Sequence, residues 1–468
     1  MTTPTNSLAA RHETAFLGHP AGLGWLSFSE FWERFSYYGM QSLLVLYMTH
    51  TLLHAGHVDH VLGFAPFRAA IESVYGRLSP QALASAIFGL YSGLVYLTPI
   101  AGGYLADRFL GRTNTVVVGA VLMAIGHFLM AFEASFLLAL LCLLLGVGCF
   151  KGNIATQVGE LYRDDDPRRA DGFQIYFLGI QLAVIGSPII CSTLATVYDW
   201  DWGFGAAGVG MVIGLTVYLI GRPTFPRERS RSRGDYAAVR PPLQRRDWRK
   251  LLLLGALVPV LAVGSLGNQE IFNAYLVWGE ANYQLLYYGW HVPAEYLVSL
   301  DSGVSTAMLL LTVLFWRWYA TRWTEPAEIT KIAIGVSISA SAPLALAVAS
   351  VTVAATGQKA GLGWAVLFEI VNDIGFSNVF PVGLALYSRT APRGYAGIMI
   401  GIYYVHLFAG NLLVGWVGGL LEKMSGSAFW LLHAGLIFAA ALVLFAFRAA
   451  FGHLLAPAYY ETVAATKF

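Results

Sequence analysis

Residues 28–40 read FSEFWERFSYYGM, and they place Glu30, Glu33 and Arg34 inside an apolar stretch that runs from roughly residue 25 to 53. Glu30 precedes the other two by three and four residues, so on a helix all three share one side and can neutralise one another. An ionisable group inside a membrane span costs at least a few kcal/mol unless it faces a cavity or a partner. Two acids against one base leave one carboxylate with an exchangeable proton, the kind of group whose charge state can select between helix packings. A purely structural ion-pair cluster is the competing reading, although three such groups are a costly way to hold one helix.

The rest of the chain supports a membrane setting. Of 468 residues, 57% are hydrophobic and only 12% charged, with 50 glycines and 28 phenylalanines. A soluble domain carries roughly 25% charged residues, so the missing charge implies lipid as a second solvent. Abundant glycine lets membrane helices approach closely. A net charge of +2 gives no reason to expect nucleic acid as a partner. Cys142, Cys149 and Cys191 lie in apolar stretches without metal-ligand spacing and read as small buried hydrophobes. The first 24 residues lack the basic-then-apolar pattern of a cleaved signal peptide, so the first apolar helix is expected to stay in the mature protein.

A spanning helix needs roughly 20 apolar residues, and that ruler gives twelve spans. The first six fall at roughly 25–53, 81–106, 113–132, 135–161, 171–197 and 204–221. The second six fall at roughly 250–278, 295–321, 327–354, 361–388, 394–420 and 427–449. A polar stretch rich in arginine and proline separates the sets, which predicts residues 1–221 as one six-helix bundle, 222–249 as a cytoplasmic linker and 250–468 as a second bundle. Arg108 and Arg112, then Arg163, Arg168 and Arg169, the linker, Arg317 with Arg322, and Arg389 with Arg393 fall in alternate connections. By the positive-inside rule both termini are cytoplasmic. An all-α membrane protein of 12 helices in two six-helix bundles is the major facilitator plan, with substrate bound near the midplane.

Other charges sit inside spans. Lys151 lies in GVGCFKGNIATQVGELY of the fourth span, where a carboxylate from a neighbouring helix or from a substrate would satisfy it; snorkelling to the surface is the alternative. The second half offers Glu270, Asp301, and Glu369 with Asp373 four residues later on one face. One half is thus basic and the other acidic near the midplane, a dipole that a zwitterion would bridge. Glu270 and Glu369 could instead lie wet at helix ends. Tyr37, Tyr38, Tyr91, Tyr176, Tyr403 and Tyr404 accompany the charges, each an apolar body with one hydrogen bond.

Glu30-Phe-Trp-Glu33-Arg34-Phe35-Ser36-Tyr37-Tyr38-Gly39 resembles the E-x-x-E-R-F-x-Y-Y-G signature of the proton-dependent oligopeptide (peptide/nitrate) transporters of the major facilitator superfamily. Gly103, Asp107, Arg108, Gly111 and Arg112 resemble the loop after that family's second helix, and Phe150-Lys151-Gly152-Asn153 its fourth-helix F/L-K-P-N. Pro381-Val-Gly-Leu and Thr390-Ala-Pro-Arg393 resemble its tenth helix and the turn that follows. The resemblance implies proton coupling at Glu30, Glu33 and Arg34, with Arg34 and Lys151 near the peptide carboxylate. It also implies a pocket lined by Tyr37, Tyr38 and Tyr91, to which Gln181, Asp301, Asp373 and Tyr403 are added as substrate-binding candidates.

Departures from the family pattern are as informative. Gln41 stands where an arginine is usual, which puts an extracellular gating salt bridge in doubt. Gln181 and Asp301 stand at asparagine positions, and Phe376 replaces the tenth-helix glutamate that receives the peptide amino group. Asp373, Glu369 or Asp301 would then take over that role, and His406 is a further proton-carrier candidate. The expectation is proton-coupled symport of di- and tripeptides by alternating access, with a non-peptide solute such as nitrate or another small organic molecule as the alternative. The protein is expected to work as a monomer in the cell membrane, a bacterial inner membrane, without cofactor or metal. No G-x-S-x-G, H-E-x-x-H or paired intrahelical histidines suggest an enzyme, and His54, His57 and His60 read as solvated loop histidines.

Overall fold

The computed structural model of the chain describes residues 14–163, 166–226, 243–392 and 395–456. Most of the expected linker, and Arg393 of the charge pattern, lie outside the described residues. Ten helical stretches are long and apolar enough to cross a membrane, and the bent pair Asp247–Gly264 with Leu266–Phe272 makes an eleventh. The first helix, α1 (Ala21–Tyr47), is 27 residues long, carries Glu30, Glu33 and Arg34 at its centre and is more polar than those stretches. Ten or eleven candidate spans thus stand beside the twelve expected, and the only strands are the two-residue hairpin arms β1 (Leu286–Tyr287) and β2 (Trp290–His291), among the described residues.

Two compact units emerge from the contacts. One comprises Met1–Ala70 and Leu97–Ser230, the other Ile71–Tyr96 and Arg231–Phe468. The short surface helix α2 (Phe64–Tyr75) leads into the second span, which is broken into α3 (Pro80–Leu94) and α4 (Thr98–Leu105). Pro99 begins the second piece, where its missing N–H costs nothing. The break lets α3 pack with the second unit while α4 packs with the first.

In the first unit α4 is followed by α5 (Arg112–Leu129), α6 (Phe136–Glu160), α7 (Arg168–Val197) and α8 (Trp200–Gly221). α1 packs on α7 and α8 through glycines. A Cβ on Gly39 would lie 2.5 Å from Cys191 Sγ, and one on Gly214 would lie 3.2 Å from the Ser29 carbonyl oxygen. Such contacts replace the hydrophobic driving force that lipid removes. Ser29 Oγ donates to the Gly214 carbonyl at 2.9 Å and fixes the register of α1 on α8.

In the second unit the seventh span is divided into α9 (Arg245–Gly264), α10 (Leu266–Gln269) and α11 (Ala274–Asn282), followed by α12 (Tyr296–Ala320) and α13 (Glu328–Thr356). Then come α14 (Gly363–Thr390), α15 (Ala396–Gly418) and α16 (Gly426–Leu455). α13 packs against α14 and α16, α15 against α3, and α12 against α14. Pro188, Pro259, Pro343 and Pro381 lie inside long helices. Neighbouring helices make that tolerable in a bilayer.

Candidate functional site

The charged groups of α1 sit where the helical spacing places them, and all are buried. Arg34 Nη2 donates to Glu33 Oε1 at 2.8 Å, and its Nε pairs with Glu33 Oε2 at 2.5 Å and Glu30 Oε1 at 3.1 Å. One guanidinium therefore serves two carboxylates, and the residual negative charge is spread over a cluster 3% exposed or less. Lys151 of α6 lies within electrostatic reach of Arg34, Glu33 and Glu30, so the fourth-span lysine belongs to the same constellation. The Tyr176 hydroxyl of α7 bonds Glu30, and Tyr38 bonds Arg34. The Arg34 guanidinium lies 5.4 Å from the centre of the Tyr37 ring, which stacks edge-on against Tyr38 at 5.1 Å. With two acids and two bases, the cluster is near neutrality when all four are charged, so an incoming carboxylate and a proton together preserve its charge.

The second unit holds the acids. Asp301 on α12 and Glu369 and Asp373 on α14 lie within electrostatic reach of one another. Tyr275 of α11 donates its hydroxyl to Glu369 Oε1 at 2.9 Å. Glu369 Oε2 and Asp301 Oδ1 have no hydrogen-bond partner among the described residues, and Asp373 is reached by the Ser305 hydroxyl. An ionised carboxyl buried away from cations costs several kcal/mol. This cluster therefore calls for protons or for a cationic ligand.

Glu270 and Glu369 are fully buried rather than wet at helix ends. Tyr91 lies buried on α3 and Gln181 half-buried on α7, in different units. Tyr403 spends its hydroxyl on the Phe380 carbonyl of α14 at 2.8 Å, and His406 Nδ1 bonds the Tyr403 carbonyl within α15. Phe376 stacks on Phe380 with ring centres 5.4 Å apart. The loop histidines are not simply solvated. His57 Nδ1 contacts Glu133 Oε1 at 2.5 Å and His60 Nδ1 contacts Oε2 at 3.3 Å, beside a cavity of about 480 Å³ that also holds Asp199 and Asp201. No group of three ligands suited to a metal ion occurs among the described residues. Tyr176 was legible as a companion of the charges but not as the partner of Glu30, and Tyr275 was not legible at all, because each meets its carboxyl from another helix.

A family model described as the POT family matches residues 113–236. Over those residues the chain is similar to the POT family. It is 27% identical to the peptide transporter YePEPT of Yersinia enterocolitica subsp. palearctica serotype O:3 (strain YE-P4), covering 90% of this chain and 91% of that protein. It is 28% identical to a di-/tripeptide transporter of Lactococcus lactis subsp. cremoris, over 84% of this chain and 88% of the other. Among solved structures, a peptide transporter POT in complex with sulfate superimposes with a TM-score of 0.81 at 23% identity, covering 97% of this chain and 99% of that one. A POT family transporter in complex with 5-aminolevulinic acid gives 0.73 at 21% identity, covering 93% and 97%. These POT structures share the fold of this chain, whose apolar helices make it a multi-pass membrane protein.

Proposed function

We propose that this chain carries di- and tripeptides together with protons by alternating access. It does so as a monomer in the cell membrane, with both termini in the cytoplasm. The observation that carries the reading is the separation of charge by unit: Arg34 and Lys151 with two carboxylates in one, Asp301, Glu369 and Asp373 in the other. A peptide presents a carboxylate to the first set and an ammonium to the second. A proton on Glu30 or Glu33 loosens the hold on Arg34 and frees the guanidinium for the peptide carboxylate. Tyr37, Tyr38 and Tyr91 supply apolar bodies with single hydrogen bonds, and Gln181 adds an amide, a lining that accepts varied side chains.

Uptake of radiolabelled dialanine into proteoliposomes, with and without an inward proton gradient, tests the reading. Glu33→Gln keeps an acceptor for Arg34 but removes the charge, and gradient-driven uptake is expected to be lost. Normal, fully coupled uptake by this variant would sink the mechanism. Phe376, standing where the family's amino-end acid is usual, favours a second reading in which the solute is not a peptide; failure of dipeptides to bind or compete would select it.

A further inference from the structure

We infer that the outer face of the first unit holds a binding site for small organic cations, separate from the buried cluster around Arg34. It lies where the connections α1–α2, α5–α6 and α7–α8 meet, which the charge pattern assigns to the outside. The cavity there, about 480 Å³, falls within the roughly 300–1,000 Å³ of small-ligand pockets. It begins at Tyr47, the last residue of α1, which stands about 20 Å beyond Arg34 along the helix.

The lining is anionic whatever the histidines carry. Glu133, Asp199 and Asp201 supply three carboxylates, and no lysine or arginine lines the cavity among the described residues. His57 and His60 hold one Glu133 oxygen each. With both imidazoles neutral the wall bears three negative charges, and with both protonated it still bears one. Part of this charge has a local purpose. Asp199 caps α8 by accepting the Trp200 N–H at 2.7 Å, and Asp201 sits in the first turn, at the helix's positive end. Glu133 comes from a different connection, so the helix end does not account for it.

Tyr47 is what points to a ligand. The residue is only 3% exposed, and its ring is clamped by Trp200, Phe204 and Phe136 with centres at 5.7, 5.1 and 6.3 Å. It lines the cavity within electrostatic reach of all three carboxylates, yet its hydroxyl makes no hydrogen bond among the described residues. Leaving such a group without a partner costs about 1–3 kcal/mol. A bound N–H donor satisfies it, because the phenol oxygen accepts. Tyr47, Phe132 and Trp200 also bring rings whose faces attract a cation. A metal ion is the wrong cation. No group of three ligands suited to one occurs among the described residues, and a point charge leaves the aromatic wall unused. An organic ammonium donates to several acceptors and lays its carbon on the rings. Two ammonium groups without a carboxylate match the three acids best, whereas a zwitterionic peptide brings a carboxylate to an anionic wall.

Isothermal titration of cadaverine, a five-carbon diamine, into the purified full chain at low and high salt tests the inference. Saturable binding at about millimolar affinity or tighter is expected, weakened by salt and not displaced by excess dialanine. Tyr47→Phe keeps the ring and removes only the hydroxyl, and Asp201→Asn keeps the side chain's shape and removes its charge. Each is expected to weaken cadaverine roughly tenfold, the loss of one charge-assisted contact. Absence of binding to the wild type overturns the inference even if a variant fails to fold. Unchanged affinity in either variant overturns the placement. Displacement by dialanine would put the diamine among the transport groups, and displacement by calcium at lower concentration than the diamine would make this a metal site; both overturn it. Peptide uptake is not the readout, so the result stands apart from whether the chain carries peptides.

Discussion

Adding one methyl group at Gly102 tests whether helix packing positions Lys151. Gly102 of α4 faces the stretch Gly146-Val-Gly148-Cys-Phe-Lys151 of α6, and a Cβ there would lie 1.9 Å from the Gly148 carbonyl oxygen and 2.9 Å from Cys149 Cα. Ordinary contact begins near 3.4 Å, so the first of these falls about 1.5 Å short. The atoms in the way are backbone, with no side-chain end to swing aside, and the two helices must part. Overpacking of this kind costs about 1–3 kcal/mol, which for a unit of this size lowers the melting temperature by roughly 5 °C. Lys151 follows Gly148 by three residues and moves with it. A loss of about 1.4 kcal/mol in the carboxylate contact is a tenfold weaker Kd. Gly103→Ala is the control: nothing lies within 4 Å of its Cβ position, and alanine adds helix propensity. Scanning fluorimetry and dialanine binding on the two variants read both effects. If Gly102→Ala melts within about 1 °C of the wild type and binds equally well, the close approach of α4 to α6 is not what fixes Lys151.

Two further expectations concern the proton machinery. Arg34→Lys retains the charge but replaces three contacts within 3.1 Å by those of one ammonium, so it is not conservative. With charge-assisted bonds worth about 1.5–3 kcal/mol each, a clear drop in thermal stability and loss of uptake are expected, and wild-type values in both assays would refute the shared-guanidinium picture. Glu33→Gln should silence gradient-driven dialanine uptake, and uptake at the wild-type rate under the same gradient would remove Glu33 from proton coupling.

What could be read in advance followed from how far along the chain each interaction reaches. Span length and apolarity are properties of continuous sequence, so the ten or eleven apolar spans were legible, and so was the Glu30, Glu33 and Arg34 cluster, because its members are three and four residues apart on one helix. The subdivision of the seventh span was not, because Asn273 departs from helical geometry in response to Glu270 and Val414 rather than to a local glycine or proline. Tyr176 with Glu30 and Tyr275 with Glu369 required helix packing to be known. Glu270 and His433 are 163 residues apart, and neither one alone betrays the other. The pairing of Glu133 with His57 and His60 likewise joins two loops that spacing treats as unrelated.

The departure at Phe376 can be tested by moving the acid back. On α14, Phe376 stacks on Phe380 at 5.4 Å, while Asp373 and Glu369 occupy the turns before it, with Asp373 fully buried and without a cationic partner among the described residues. Three residues of helix correspond to about 4.5 Å along the axis, somewhat more than the roughly 3.5 Å that one extended peptide residue spans. If Asp373 receives the peptide amino group, Asp373→Asn should weaken competition by dialanine, and adding Phe376→Glu to that variant should restore it. Because the restored carboxyl sits about one peptide residue away from the original, the order of preference between dialanine and trialanine is expected to shift in the double variant. Competition by both peptides against labelled dialanine measures this directly. Unchanged affinities in Asp373→Asn would remove Asp373 from the amino-end role and leave Asp301 to fill it. Restored binding with an unchanged order would show that the site adapts to either carboxyl position and does not measure peptide length there.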